Sequence, residues 1–283
     1  IALSVRPVDV ETHFQGRPSM SFSFSPISQP MGPSGVLKDF RLADNPKIPR
    51  KVDSIVSDGL RASDAVYELY KGSHDVYYLA NVLSSGVLGS PKGQRMVPTR
   101  WSITAIDDIV GKQLMGELRE FPCVEEYSVY TNTYLENHFE ILLMPGNWEY
   151  EQFEAWAPKT LWTQSYDAPV IVGEHEGFSG RSDYAINEGG GYYAGRLAVA
   201  EALHAMRMQA RAVVFREIYE SYVMPVGVWE VRENVRAAMK NVPRRFSGLK
   251  EALGDIAQRL VNPIREYVRR SSVLRQRRMT EFM

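Results

Sequence analysis

A short polar stretch beyond the middle of the chain carries side chains that could bind a metal ion or transfer protons. Glu174 and Glu176 flank His175 directly after the apolar run 169–172, and Asp183 follows further along. In an extended backbone both glutamates project from the same face of the strand. Paired carboxylates hold Mg²⁺ or Mn²⁺ and act as general acids and bases, so Glu174, Glu176 and Asp183 are candidate catalytic residues. A glycine-rich connection with solvated carboxylates is the alternative, and for metal binding it is the simpler one.

Three consecutive glycines follow this stretch. Gly189, Gly190 and Gly191 stand shortly before a run with helical periodicity that begins at Arg196. The first backbone N–H groups of a helix are not used within the helix, and glycine lets an anion approach them closely. The three glycines are therefore candidate phosphate-binding residues, with a plain connecting segment as an equally good alternative.

Basic and hydroxyl side chains cluster in the first part of the chain, around the glycine-rich loop 84–93. Small residues followed by Lys and Arg suit a bound phosphate group, although the Gly-Lys-Ser/Thr order of a P-loop is absent. The candidate phosphate- or nucleotide-binding side chains are Arg61, Lys92, Arg95, Arg100 and Ser102. An ordinary surface loop whose basic residues pair with Asp107 and Asp108 is the alternative.

The segment 276–283 combines one polar and several apolar side chains at helical spacing. Met279, Phe282 and Met283 occupy positions i, i+3 and i+4, so in a helical turn they project from one side, with Gln276 apart as a polar contact. An exposed apolar group of this kind needs a partner surface to cover it. The spacing predicts a docking motif, unless Phe282 and Met283 fold back onto the protein's own core.

Charge is divided unevenly along the chain, although its net charge is −1. Residues 232–283 hold 13 Lys and Arg against 5 Asp and Glu, a net of +8, and the remainder holds 20 against 29, a net of −9. Such asymmetry is typical of a segment that faces nucleic acid or a partner, and a solvated basic helix explains it equally. The division predicts that any DNA contact is local.

The composition excludes several classes of protein. A single cysteine, Cys123, cannot form an internal disulfide framework or a four-cysteine zinc site, and it fits a reducing compartment. The 5 histidines lack the spacing of zinc ligands, so these residues predict no zinc site. The sequence has neither the long apolar run of a membrane span nor the pattern of a signal peptide, so we expect a cytoplasmic protein without membrane contact.

These residues must be positioned by a fold that we predict to be α+β, with mixed strands and short helices in the first two thirds and a helical last third. Strands are expected at 100–106, 126–143 (two antiparallel strands) and 169–173, and helices at 63–72, 107–119, 196–223, from 246 and at 264–275. The predicted domains are an α+β body at 1–195 with a Pro/Ser-rich N-terminal wrap, a helical region at 196–275 packed on it, and the tail at 276–283.

Several of these segments resemble the archaeal Nre family of DNA repair proteins. The similar runs are 53–72, 88–105, Glu188–Arg196 and the terminal motif, and together they extend over most of the chain. The resemblance implies an archaeal, nucleoid-associated protein that acts in DNA damage repair. It also implies binding to the sliding clamp (PCNA), the ring that encircles DNA, through Gln276, Met279, Phe282 and Met283. The last position is usually aromatic, and Met283 departs from that pattern.

Members of the family often carry an N-terminal cysteine zinc module. This chain begins without it and without an initiator Met, so zinc is expected only in a missing N-terminal module. The remaining cofactors to consider are Mg²⁺ and Mn²⁺ at the carboxylates.

The sequence therefore predicts a DNA repair factor that is recruited by the sliding clamp and that binds DNA or nucleotide phosphates in a basic cleft. Two alternatives stay open: a non-catalytic adaptor in a repair complex, and a nucleotide-binding hydrolase or transferase. Chemistry, where present, would be metal-dependent processing of nucleic acid or nucleotides at Glu174, Glu176 and Asp183.

Overall fold

The computed structural model describes residues 1–24, 31–160, 163, 167–223 and 226–275. The chain forms two compact units, residues 1–110 and the residues from Gly111 onward. The first is mainly helical, and the second is built on a sheet.

The first unit consists of a hairpin followed by helices. Its elements are β1 (Val10–Phe14), β2 (Leu37–Leu42), α1 (Arg50–Asp58), α2 (Ala62–Lys71), α3 (Val76–Ser84) and the first half of α4 (Thr99–Leu118). The antiparallel strands β1 and β2 are exposed along their whole length. The helices bury Val52, Val66, Leu69 and Leu79 completely, so the apolar core of this unit is helical.

The second unit is built on a six-stranded mixed sheet in the order β6-β5-β7-β4-β3-β8. The strands are β3 (Tyr127–Tyr134), β4 (Asn137–Met144), β5 (Glu149–Trp156), β6 (Val170–Glu176), β7 (Arg211–Ile218) and β8 (Arg244–Phe246). β5 and β7 are parallel, and the other neighbouring pairs are antiparallel. The central strands β4 and β7 are buried along their whole length, which is why both are mostly apolar.

Four helices complete this unit: α5 (Gly190–Met206), α6 (Val228–Lys240), α7 (Leu249–Ile256) and α8 (Ile264–Arg270). α5 and α6 pack on each other and on one face of the sheet, where Gln152, Glu154 and Arg216 project. On the other face, Phe153 and Phe215 form an apolar core with side chains of α7 and α8. Because side chains alternate along a strand, Glu154 and Arg216 project from one face of the sheet, and their neighbours Phe153 and Phe215 project from the other.

The prediction of strands in the first two thirds and a helical last third was wrong. Helices lie at both ends of the described chain, and the mixed sheet lies in the middle. The predicted helix 196–223 ends at Met206 as α5 and is followed by the central strand β7. The run 212–215 is apolar and buried on both faces of the sheet, so it lacks the period-2 pattern that separates a strand from a buried helix.

Two further differences concern single elements. The predicted strand 100–106 lies inside α4, and the predicted basic helix 264–275 ends at Arg270 as α8. The remaining predictions are confirmed within a few residues: α2, the second half of α4, the antiparallel pair β3 and β4, the strand β6, and the start of α7.

Candidate functional site

A cleft opens in the second unit where the parallel strands β5 and β7 end. Glu154 and Trp156 stand at the end of β5, and Arg216 stands near the end of β7. Helices α5 and α6 both begin at this edge, at Gly190 and Val228. The cleft has a volume of about 310 Å³. In sheets with parallel strands, ligands bind outside the carboxyl ends of those strands, which makes this cleft the candidate functional site.

Arg216 is the centre of the charged groups in the cleft. Its guanidinium donates to Glu154 Oε1 at 2.7 Å, to Glu230 Oε2 at 3.2 Å, and through two nitrogens to Asn137 Oδ1 at 3.0 and 2.8 Å. Arg216 is 5% exposed and Glu230 is fully buried. One buried guanidinium therefore faces two carboxylates, and a third carboxyl group, that of Glu188, lines the same cleft.

The carboxyl group of Glu188 is only partly hydrogen-bonded. Its Oε2 accepts from Gln152 Nε2 at 2.6 Å, and the Oε1 of that glutamine accepts from the Tyr150 hydroxyl at 2.6 Å. Its Oε1 has no hydrogen-bond partner among the described residues, although the residue is only 8% exposed. Burial, and then the negative charge of Glu154, raise the pKa of Glu188 well above its ordinary value. The neutral carboxylic acid therefore persists to higher pH than in an ordinary glutamate.

Glycines allow α5 to lie this close to β5. A Cβ atom at Gly191 would lie 2.7 Å from Glu154 Oε1, and one at Gly195 would lie 2.1 Å from Gln152 Oε1. Gly189 precedes the helix with φ of +57°, a left-handed conformation that favours glycine. The segment 188–196 therefore combines the buried acid with the glycines that bring the helix onto it.

The predicted catalytic residues lie on β6 and in the segment after it. Arg181 Nη1 lies 3.0 Å from Glu174 Oε2, and Arg196 Nη1 lies 2.8 Å from Glu176 Oε2. The side chains of Glu176 and Arg196 are fully buried, whereas that of Asp183 is 81% exposed. Because each glutamate already faces an arginine, the positive charge opposes a Mg²⁺ or Mn²⁺ ion there. Their catalytic role stays a prediction.

The predicted phosphate-binding side chains of the first unit lie on and around the connection between α3 and α4. Arg61, Lys92, Arg95 and Arg100 are exposed, whereas Ser102 is buried and donates its hydroxyl to the Thr99 carbonyl at 2.8 Å. The connection is closed by Ser84, whose hydroxyl donates to the Val97 carbonyl at 2.7 Å. The four cationic side chains are therefore accessible to a ligand. The role of Ser102 in phosphate binding stays a prediction, and it is disfavoured because its hydroxyl already donates to the Thr99 carbonyl.

Gly190 and Gly191 line the cleft, next to the Gly189 turn. Their predicted role in phosphate binding stays a prediction. The Glu154 carboxylate beside Gly191 disfavours an anion at this helix N-terminus.

The predicted docking residues Gln276, Met279, Phe282 and Met283 lie outside the described residues. Part of the positive charge in the segment before them is neutralised within the protein. Arg236 pairs with Glu201 and Glu233, and Arg259 pairs with Glu140 and Asp255. Arginines and lysines with an exposed surface in this region are Lys240, Arg244, Arg245, Lys250, Arg265, Arg269, Arg270 and Arg275. The net charge of +8 for residues 232–283 therefore overstates how much basic surface this segment exposes.

Sequence reasoning did not bring Glu154, Glu188 and Arg216 together. Arg216 fell inside the predicted helix 196–223, and Glu154 belongs to an aromatic, acidic segment typical of a core or a protein contact. The strand β5 carries two polar side chains on each face, Gln152 and Glu154 on one and Glu149 and Glu151 on the other. Its pattern therefore does not indicate which face holds the cleft.

Within the described ranges, no group of three or more His, Cys, Asp or Glu side chains is arranged to hold a metal ion. Among the helices of the same ranges, none is both long enough and apolar enough to cross a membrane.

Comparison with known proteins identifies the class. Residues 1–163 match the family model described as Archaeal Nre, N-terminal, and residues 176–282 match Archaeal Nre, C-terminal. The chain belongs to the archaeal Nre family. The segments that match the two family models contribute to one sheet, because β5 lies in the N-terminal match and its parallel neighbour β7 lies in the C-terminal match.

Three relatives are similar over almost the whole chain. DNA repair protein NreA of Archaeoglobus fulgidus is 38% identical over 92% of this chain, and DNA repair protein NreA of Haloferax volcanii is 35% identical over 96%. DNA repair protein NreB of Archaeoglobus fulgidus is 36% identical over 100% of this chain. The aligned parts are 65%, 66% and 72% of those proteins, so this chain spans about two thirds of their length. No solved structure matches the chain.

Proposed function

We propose that the chain is a DNA repair factor that the sliding clamp recruits through Gln276, Met279, Phe282 and Met283. One observation carries the repair role: three relatives named as DNA repair proteins are 35–38% identical to at least 92% of this chain. The spacing of the four motif residues supports the mode of recruitment.

Clamp docking is tested by removing the aromatic anchor of the motif. Phe282→Ala deletes the largest apolar side chain of the motif, and buried aromatic anchors dominate small interfaces. The matched control is Thr280→Ala, which lies in the same segment but outside the motif. In surface plasmon resonance on an immobilised archaeal clamp, we expect Phe282→Ala to bind at least about tenfold more weakly and Thr280→Ala to bind like the wild type. Equal affinities for the two variants would contradict docking through this motif.

The surface around α4 is the part of the first unit that suits nucleic acid. Arg95 and Arg100 are exposed cations, and Trp101 beside them is 60% exposed, with the Arg100 guanidinium 5.9 Å from its ring centroid. Exposed aromatic rings next to arginines stack with unpaired bases, and the arginines contact phosphates. Together with Arg61 and Lys92, these residues form the proposed phosphate-binding surface.

Salt dependence tests this surface. Removing one cation that binds a phosphate lowers the slope of log affinity against log salt by about 0.7 for a single strand and about 0.9 for a duplex. We expect Arg95→Ala with Arg100→Ala to lower the slope by about 1.5, and Lys38→Ala, an exposed lysine of β2 outside the proposed surface, to leave it unchanged. Fluorescence anisotropy with labelled oligonucleotides over a KCl series measures the slope. A wild-type affinity that does not respond to salt would favour the adaptor role.

A further inference from the structure

We propose that the cleft at the ends of β5 and β7 binds a single unstacked nucleobase that carries an amino group beside an unprotonated ring nitrogen, as adenine and cytosine do. The choice of a nucleobase rests on the proposed role in DNA repair. The hydrogen-bonding pattern rests on Glu188, Glu154 and Arg216 alone.

The size and the wall of the cleft suit one flat heterocycle. A volume of about 310 Å³ lies at the lower end of the range for small-molecule pockets, about 300–1,000 Å³. Trp156 and Tyr222 give the wall aromatic surface, and Val228 and Val231 give it apolar surface. Bases that are removed from a stack are held in this way, between aromatic and apolar side chains with polar groups at their edge.

Glu188 supplies the first specific contact. Its Oε2 is occupied by Gln152, and its unpartnered Oε1 belongs to a residue that is only 8% exposed and that lines the cleft. A protonated carboxyl group donates one hydrogen bond, and a ring nitrogen without hydrogen accepts it. Binding would therefore satisfy a buried polar atom that otherwise lacks a partner.

Glu154 supplies the second contact. Its Oε1 accepts from Arg216, and a carboxylate has further lone pairs for the amino group of a base. Both side chains line the cleft, so Glu188 and Glu154 offer it one donor and one acceptor. On the Watson–Crick edge, uracil, thymine, guanine and hypoxanthine carry N–H at the ring nitrogen, where it would oppose the donor of Glu188.

Other ligands fit less well. A phosphate group would meet the Glu154 carboxylate, and the single guanidinium of Arg216 is already shared between Glu154 and the buried Glu230. A divalent cation would meet that guanidinium. A neutral base with both donor and acceptor atoms meets neither repulsion.

The contact depends on the protonation of Glu188. Three charged groups on the neighbouring strands act on its carboxyl group. Glu154 of β5 and Glu174 of β6 raise its pKa, after burial, and Arg216 of β7 lowers it. Once Glu188 ionises, its oxygen no longer donates to the ring nitrogen, so affinity falls as the pH rises through its folded pKa.

Calorimetric titration of the chain with adenosine, cytidine, uridine and inosine tests the pattern. We expect adenosine or cytidine to bind at least tenfold more tightly than uridine and inosine at pH 6, with weaker binding at high pH. Fluorescein-labelled oligo(dA), oligo(dC) and oligo(dT) form a second arm, because a base within a strand and a free nucleoside present the same edge. Binding in either arm with this preference supports the proposal. No preference for adenine or cytosine in both arms overturns it.

Variants assign the effect to the cleft. Glu188→Gln keeps a neutral donor at the same place, so we expect it to retain most of the affinity and to lose the pH dependence. Glu188→Ala should lose at least tenfold, and Glu220→Gln, an exposed residue after β7, should bind like the wild type. Thermal unfolding verifies that each variant is folded. If Glu188→Ala does not fold, Glu188→Gln still tests the proposal. A nucleoside affinity that depends on pH in Glu188→Gln as it does in the wild type would overturn it.

None of these titrations contains the clamp, so their outcome is independent of the docking test. Loss of clamp binding with retained base preference would reject the proposed recruitment alone. Retained clamp binding without a base preference would reject the cleft ligand alone.

Discussion

Two groups of buried glutamates lie side by side in the second unit, and they differ in the number of arginines available to them. On β6, Glu174 and Glu176 each face an arginine of their own, Arg181 and Arg196. In the cleft, Glu154 and Glu230 share Arg216, and Glu188 accepts its hydrogen bond from an amide, that of Gln152. Each glutamate of the first group has its own cation, whereas in the second group burial and the charge of Glu154 raise the pKa of Glu188.

The two groups differ in the charge that a ligand would meet. Each glutamate of β6 has one carboxylate oxygen within 3.0 Å of an arginine, although the Oε1 of Glu176 has no hydrogen-bond partner among the described residues. A buried carboxyl group without a cation stays protonated and keeps a donor for a ligand. Glu174 and Glu176, which the spacing in the sequence made conspicuous, lie beside arginines, and their catalytic role stays a prediction; Glu188 accepts instead from the Gln152 amide.

The largest effect is expected from breaking the buried ion pair on β6. Glu176→Gln removes the carboxylate 2.8 Å from the Arg196 guanidinium, and both side chains are fully buried. Removal of one partner of a buried pair destabilises a protein by about 3–5 kcal/mol. Urea unfolding followed by circular dichroism measures the change.

The control for this variant is Glu126→Gln, because Glu126 pairs with Arg245 at 3.2 Å with both side chains more than half exposed. Exposed pairs contribute about 0–1 kcal/mol. A loss for Glu176→Gln no larger than that of Glu126→Gln would show that the pair on β6 stabilises the fold no more than an exposed pair does.

A smaller effect is expected from pushing α5 away from the cleft. A Cβ atom in Gly195→Ala would lie 2.1 Å from Gln152 Oε1 and 2.8 Å from the Tyr150 hydroxyl. Both groups belong to the chain of hydrogen bonds that ends at Glu188, so they cannot move without disturbing it. Overpacking of this kind destabilises by about 1–3 kcal/mol.

The matched substitution is Gly116→Ala in α4, an exposed helical glycine whose Cβ would have no atom within 4 Å. Replacing such a glycine stabilises by about 0.5–1 kcal/mol. Chemical denaturation of both variants measures the change in the free energy of unfolding, which we expect to have opposite signs in the two variants. Stabilisation by Gly195→Ala would mean that the approach of α5 to β5 is looser than the geometry indicates.

The sequence predicted local features well where a pattern is carried by neighbouring residues. The antiparallel pair β3 and β4 is interrupted by a polar turn, and Pro263 marks the break before α8. β7 was not predictable in the same way. Its interior run of apolar residues is equally compatible with a buried helix, and only pairing with β4 and β5 decides the outcome.

The site was less predictable than the fold, because its members come from distant parts of the chain. Glu154 ends β5, Glu188 precedes α5, and Arg216 lies on β7. Their meeting depends on the parallel pairing of β5 with β7, which local periodicity does not specify. The glycines at 189–191 predict an anion site when the sequence is considered alone. In the fold, Gly191 also leaves room for the Glu154 carboxylate beside the helix, and this contact depends on the tertiary structure.

The smallest expected effect, counted per pH unit, is a pH dependence of stability that arises from Glu188. In the folded protein the pKa of Glu188 is raised above its ordinary value of 4.5, by burial and then by Glu154. Between the two pKa values the folded state holds one proton more than the unfolded state, so stability falls as the pH rises from about 4.5 towards the folded pKa. The slope is at most about 1.4 kcal/mol per pH unit.

Glu188→Gln removes this contribution, because an amide does not titrate. The difference in unfolding free energy between this variant and the wild type should therefore grow in favour of the variant as the pH increases above 4.5, and it should level off once Glu188 ionises in the folded state. Urea unfolding of both proteins at intervals from pH 4.5 to 8 measures the difference, in which the other titrating groups cancel to first order. A difference that stays constant over this range would show that the pKa of Glu188 is not raised in the folded protein. The contrast between the two groups of glutamates depends on that one proton.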